Sequence, residues 1–570
     1  MRMPVSRRWK AISAIFLAAG LVISYAPAQA PAPDLILCNG KIFTGNKEHP
    51  YAQAVAIRGE RIVAVGNSDV IKRLAGANTK QIDLSGRTVI PGINDAHYHL
   101  SVTAKDELDL DLKTSNPSVN EIRAAIAAAL LKAHARTIIM GEIGDSAYFN
   151  VELDRSLLDK VSADHPVVLF NVSGHAAILN SAALLHFHIH DGDADPMGGR
   201  YERSADGRLN GVLREYAALS IEHHPDLTNV TAVVKELSAT LSQAAKYGVT
   251  TIQDMSSGMT PEQCLSLLTK VPSPIRVRIV RMPASNPRSR DVIEGLSVLH
   301  THSGLVTVSG TKWMLDGTPL EGTFASRQAQ AKLFAAINHP EATPGSMSPL
   351  EHFLATEQLT FPREQMRSML DESLKVDDQL LVHATGYPAA SGMLDAMQAD
   401  GGKHMWNSRR VRFEHGDGLF PDLITRVKEM GIIVVQNPRH LAWKRHFEHD
   451  LGLVRAQPLK SLLAAGIPVA FGSDISGEVN PFLDIMLATT HPDRPSEAIT
   501  REQAVIAYTL TSAYAEFAEK DKGSLEPGKL ADLAVLSQDI FTIPTGELPK
   551  TTSVLTLVGG KIVYDAGVLH

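Results

Sequence analysis

At 570 residues, 44% of them hydrophobic, the chain is long enough to bury a large core and to hold more than one domain. Its formal charge of -7 argues against nucleic acid or an anionic membrane surface as a partner. Two cysteines, Cys38 and Cys264, are too few for a disulfide scaffold or a thiolate metal site, and both are expected as buried thiols.

The first thirty residues read as a secretory signal. Arg2, Arg7, Arg8 and Lys10 give a basic start, Ala11 to Ile23 a short apolar run, and Ala28-Gln29-Ala30 a small-x-small cleavage site. Ser6-Arg7-Arg8 leaves the twin-arginine route open beside general export. Cleavage after Ala30 removes those four cations and no anions, taking the formal charge from -7 to -11. The expectation is an exported, periplasmic or secreted protein, without stable membrane insertion once the signal is gone.

From Asp34 to Val65 the pattern is short strands: Leu35–Cys38, Ala54–Ile57 and Arg61–Val65, with turns expected at Asn39-Gly40 and Arg58-Gly59. The last fifty residues repeat the style in Ala534–Leu536 and Val554–Tyr564. Short β segments at both ends predict one small β-sandwich built from both termini, 31–92 and 516–570. Between them, strands alternate with helical stretches such as Pro362–Leu374 and Leu419–Met430. The clearest strands are Val249–Ile252, Ile275–Val280, Val306–Val308, Leu380–His383, Val411–His415, Ile432–Val435 and Val469–Phe471. Repeated strand–helix units predict a parallel sheet, closed as a (β/α)₈ barrel over 93–515. About 102–246 is too long for one crossover, which predicts an insertion after the first barrel strand, over the mouth.

A barrel works at the C-terminal ends of its strands, so chemistry-bearing residues should follow apolar runs. His97 and His99 follow Thr88 to Ile93, and residues i and i+2 of a strand share a face, so both rings can reach one ion. An H-x-H alone is weak, because a strand-end histidine is more often a satisfied polar group. Here Lys312, His383, His415 and Asp474 follow in order, each at a strand end. That order is what argues against coincidence. Trp313 should point away from the barrel interior by alternation.

The set resembles the amidohydrolase superfamily, and most closely its amidohydrolase 3 type. Pro91-Gly92-Ile93-Asn94-Asp95-Ala96-His97-Tyr98-His99, Gly174-His175, Gly211-Val212-Leu213-Arg214-Glu215, Lys312-Trp313-Met314-Leu315-Asp316-Gly317, Arg412-Phe413-Glu414-His415 and Phe471-Gly472-Ser473-Asp474 carry the likeness. It implies that His97, His99 and Asp474 hold one divalent ion and His383 and His415 a second, with Lys312 bridging them as a carbamate. Nitrogen and oxygen ligands suit Zn²⁺ first, with Mn²⁺, Co²⁺ or Fe²⁺ as alternatives. The implied reaction is hydrolysis of an amide or other C–N bond in a small molecule by a hydroxide generated on the metal, with Asp474 as general base and then acid. Competing readings are a mononuclear deaminase of the same superfamily and an exported binding protein without turnover. His175, Asn437 and His440 are expected to line the substrate pocket, and homo-oligomers are allowed. Two departures stand out: Tyr387 ends His383-Ala384-Thr385-Gly386-Tyr387 where relatives carry an aspartate, and Gln253 stands where a histidine is common.

Overall fold

The Pro91-Gly92 break marks the passage from one β layer to another. In the computed structural model, Thr88–Pro91 belongs to a six-stranded sheet and Ile93–Tyr98 (β1) opens an eight-stranded one. A Cβ on Gly92 would collide with the Thr250 side chain, so the chain crosses where only glycine fits. The structure describes residues 31–569 except 101–107, 115, 136, 223–229, 257–260, 272, 283–303, 318–326, 328–331, 333–358, 362, 443–456, 476–478 and 493. The signal segment 1–30 and Pro362 lie outside the described residues.

The six-stranded sheet joins both ends of the chain. Thr88–Pro91 pairs antiparallel with Leu533–Leu536, Val89 facing Val535, and Ser553–Val558 and Lys561–Asp565 extend that side. A four-stranded sheet of Leu35–Cys38, Ala54–Arg58, Arg61–Gly66 and Lys80–Asp83 packs against it. Alternation sorts the side chains: Leu35 and Leu37 enter the core between the sheets, while Ile36 and Cys38 pack with Ile71 of the helix Ser68–Lys72. The Asn39-Gly40 turn does not join paired strands, contrary to expectation. It carries the chain from the four-stranded sheet to Lys41–Phe43 of the other, and Asn39 takes φ +58° to do so. Cys38 and Cys264 are both buried free thiols.

The remaining barrel strands are Val249–Met255 (β2), Arg276–Arg281 (β3), Val306–Met314 (β4), Leu380–Ala384 (β5), Arg412–His415 (β6), Ile433–Gln436 (β7) and Val469–Phe471 (β8). Each pairs parallel with its neighbour in chain order, so the sheet is a TIM-like barrel. Its ends meet through backbone and side chain: the Asp474 N–H donates to His97 O at 2.8 Å, and Ser473 donates twice to buried Asp95. Gly472 is pressed against the backbone of His97, leaving no room for a Cβ. Another sheet, of six strands between residues 108 and 215, lies in the chain between β1 and β2. Among the described residues no helix is long and apolar enough to cross a membrane.

Outward residues such as Val277, Ile279, Val382 and Phe413 join the large barrel–helix core, and inward ones meet at the barrel axis. Alternation fails at chosen places. In the β3–β4 ladder Ile279 faces Val308 but Arg281 faces Thr311, so Ser309-Gly310 forms a bulge with Gly310 at φ +85°. The extra residue sets both Ser309, bonded to Arg278, and Lys312, bonded to His97, on the inner face. Trp313 points the other way, onto Tyr216 and Phe361. A Cβ at Gly310 would lie 2.9 Å from both Arg278 Nη2 and Leu381 Cδ1. Gly310→Ala is therefore expected to cost about 1–3 kcal/mol, read as a lower thermal midpoint.

Candidate metal centre

Asp474 is the hub of the barrel mouth. It follows β8 and takes φ +51°, a conformation that residues other than glycine seldom adopt. Its Oδ1 lies 3.3 Å from His97 Nε2 and 3.1 Å from His99 Nε2; its Oδ2 lies 3.0 Å from His440 Nε2 and 3.6 Å from His415 Nδ1. Burial alone would raise this carboxyl. The imidazoles of His97, His440, His99 and His415 outweigh that and hold it well below the usual carboxylate range.

Partners behind the rings fix which nitrogen faces Asp474. His97 Nδ1 is 2.6 Å from Glu414 Oε2, and His99 Nδ1 is 3.1 Å from Met255 O. Hydrogen-bond matching assigns the proton to Nδ1 in each ring, which leaves Nε2 to point at the carboxylate. Burial, then the neighbouring Lys312 charge, depresses His97 to about 4. His383 and His415 are pushed well below the ordinary histidine value, burial again being the main cause. All three rings are neutral at neutral pH, the state in which imidazole binds a metal.

Two groups of ligating atoms among the described residues lie close enough to share an ion: His97, His99 and Asp474, and His415, His440 and Asp474. His383 stacks edge-on to His415 with ring centroids 4.3 Å apart. Its buried Nε2 has no hydrogen-bond partner among the described residues, Asp316 Oδ1 being 3.7 Å away. A buried imidazole nitrogen left unpaired is costly, so this donor set fits a divalent cation. Lys312 completes the cluster with Nζ 3.0 Å from His97 Nε2, and burial lowers its pKa. It stands inside β4 rather than just past it, because the Gly310 bulge has already turned it inward.

The structure thus brings together His97, His99, Lys312, His383, His415 and Asp474. His175 arrives from the 108–215 sheet, its ring 5.2 Å from that of His383 and its Nδ1 2.8 Å from Glu215 Oε2. His440 sits at Asp474, close enough to be a ligand. Asn437, expected at the substrate pocket, stands beside His415. It is buried, with Oδ1 taken by His415 Nδ1 at 2.8 Å and Nδ2 donating to Gly472 O at 3.0 Å. It orients a ring.

Sequence reasoning missed the residues behind the cluster, chiefly Glu414. Arg412 and Glu414 share a face two residues apart, which was the available signal. His415 also turns inward, at φ +70°, so one strand presents all three. Gln253 proves to be a brace on the barrel axis: it accepts from Arg412 Nη1 at 2.6 Å and Arg278 Nη1 at 3.1 Å, and donates to Asn94 and Ser512 O. Tyr387 opens a helix and donates its hydroxyl to Asp422.

The sequence profile of the Amidohydrolase family matches residues 80–564. The chain belongs to the amidohydrolase family. This amidohydrolase is 28% identical to Protein LONG AFTER FAR-RED 3 of Arabidopsis thaliana, covering 95% of this chain and 93% of that protein. It is 26% identical to an N-substituted formamide deformylase of Arthrobacter pascens, covering 93% and 98%. An uncharacterized metal-dependent hydrolase from Pyrococcus horikoshii shares the fold, with TM-score 0.63, 20% identity, and coverage of 90% of this chain and 99% of that one. The protein is an amidohydrolase, and its barrel mouth gathers a donor set that fits a divalent cation.

Proposed function

We propose that this amidohydrolase hydrolyses the C–N bond of a small amide, with N-substituted formamides as the first class to test. The observation that carries the reading is Asp474, one half-buried carboxylate within 3.6 Å of nitrogen atoms from His97, His99, His415 and His440. The formamide deformylase of Arthrobacter pascens, similar over 93% of the chain, supports the substrate class. A divalent cation held there, Zn²⁺ by its nitrogen and oxygen donors, would acidify bound water toward a pKa of ~7 and polarise a carbonyl. His97, His99 and Asp474 would hold one ion, and His415, His383 and Lys312 a second, Lys312 as its carbamate. Asp474 takes the proton of the attacking water and returns it to the departing nitrogen, so the C–N bond breaks as a C–O bond forms.

Metal-stripped protein is expected to turn over no amide. Added Zn²⁺ should restore hydrolysis of at least one member of a panel of N-alkylformamides, N-acyl amino acids, dipeptides and cyclic amides. A panel untouched by fully metal-loaded enzyme would sink the reading. Lys312→Met is expected to lower bound metal from two equivalents to one, measured by elemental analysis; unchanged content would exclude the carbamate bridge. Export is the reading that Ala28-Gln29-Ala30 supports, and N-terminal sequencing of secreted material should begin at Pro31.

A further inference from the structure

The nitrogen ligands of the two candidate sites are backed unequally. Behind His97 stands Glu414, its carboxylate 2.6 Å from Nδ1, both side chains fully buried. Arg412 grips both oxygens of Glu414, at 2.7 and 3.0 Å, and is itself pinned by Gln253 at 2.6 Å and Ala96 O at 2.7 Å. Behind His415, at an Nδ1 that lies 3.6 Å from Asp474 Oδ2, the hydrogen-bond acceptor among the described residues is the neutral amide oxygen of Asn437, 2.8 Å away. A carboxylate accepting from the far side of a ligating imidazole fixes its orientation and raises its basicity, and a neutral amide does this less.

We propose that Glu414 is a positioning residue that sets the ring of His97 and makes the His97/His99/Asp474 site the first to fill with a divalent cation. This rests on reading the cluster as a metal centre. Gln253 gains a purpose on this account. It closes the chain of contacts that holds Arg412, and through it Glu414, at the barrel axis.

The test is a Co²⁺ titration of the metal-free full-length protein, followed by visible absorption and calorimetry. The wild type should take up its first equivalent more tightly than its second. Glu414→Gln should weaken the first step by about ten- to a hundredfold while moving the second by less than about threefold. Glu414→Asp, which keeps the charge, should recover part of the loss. A wild type that binds one equivalent only, weakened likewise by Glu414→Gln, supports the same role. A first step as tight in Glu414→Gln as in wild type, or both steps weakened alike, overturns it. No Co²⁺ uptake by the wild type would instead overturn the metal centre itself. Should Glu414→Gln fail to fold, ¹⁵N-histidine NMR of the metal-free wild type decides. The resonance lost in His97→Gln must then report a proton on Nδ1, and a proton on Nε2 would refute the proposal.

Discussion

Asp474→Asn, loaded with Zn²⁺ to saturation, is expected to fold and to lose between about 10² and 10⁴ in kcat, or roughly 3–5 kcal/mol of barrier. Asparagine fills the same volume and keeps one oxygen, so the β8 turn and its backbone bond to His97 survive. What goes is the negative charge and the capacity to accept a proton. Both matter, because Asp474 reaches His97, His99, His415 and His440 together. Metal affinity should therefore fall as well, and elemental analysis at each metal concentration separates the two losses. Turnover within tenfold of wild type at equal metal content would remove Asp474 from the proton-transfer role.

Arg412→Met should be the most destabilising single change in the barrel interior, by about 3–5 kcal/mol. The guanidinium is wholly buried, and four hydrogen bonds tie it to Glu414, Gln253 and Ala96. Methionine matches its length but abandons Glu414 as an anion in the core. Removing one partner of a buried ion pair costs far more than removing both. Arg412→Met combined with Glu414→Leu is thus expected to be more stable than Arg412→Met alone, a sign that pairwise addition would miss. Urea unfolding of the metal-free proteins gives both numbers. An Arg412→Met variant within about 1 kcal/mol of wild type would mean that Glu414 simply takes up a proton.

Much of this architecture was written in local signals. Apolar runs such as Leu380-Leu381-Val382 mark buried strands whatever surrounds them, and the residues just past them mark the mouth of the barrel. Hence His383, His415 and Asp474 were readable, and the sandwich made of both termini followed from similar short strands. Strict alternation misleads where the backbone breaks it. It would put Glu414 and His415 on opposite faces, yet the positive φ of His415 gathers both. The extra residue beside His97 in the β1–β2 ladder, where Ile252 faces Asp95 but Asp254 faces Tyr98, acts similarly. Contacts between distant segments left no local trace. Nothing near Asn437 announces that its amide would be spent on His415, and nothing near Gln253 announces two arginines.

The meeting of β1 and β8 has a consequence for how the barrel is held shut. Its first and last strands touch through two backbone bonds, Asp474 N–H to His97 O and His99 N–H to Ile475 O, two bonds to Asp95 and the bare face of Gly472. His97, His99 and Asp474 stand on opposite sides of that seam, so an ion shared by them is also a clasp across the longest loop in the barrel. Chelation should accordingly speed amide hydrogen exchange along β1 and β8 before it does so along β5 and β6. For this barrel, losing the cation would mean losing its latch.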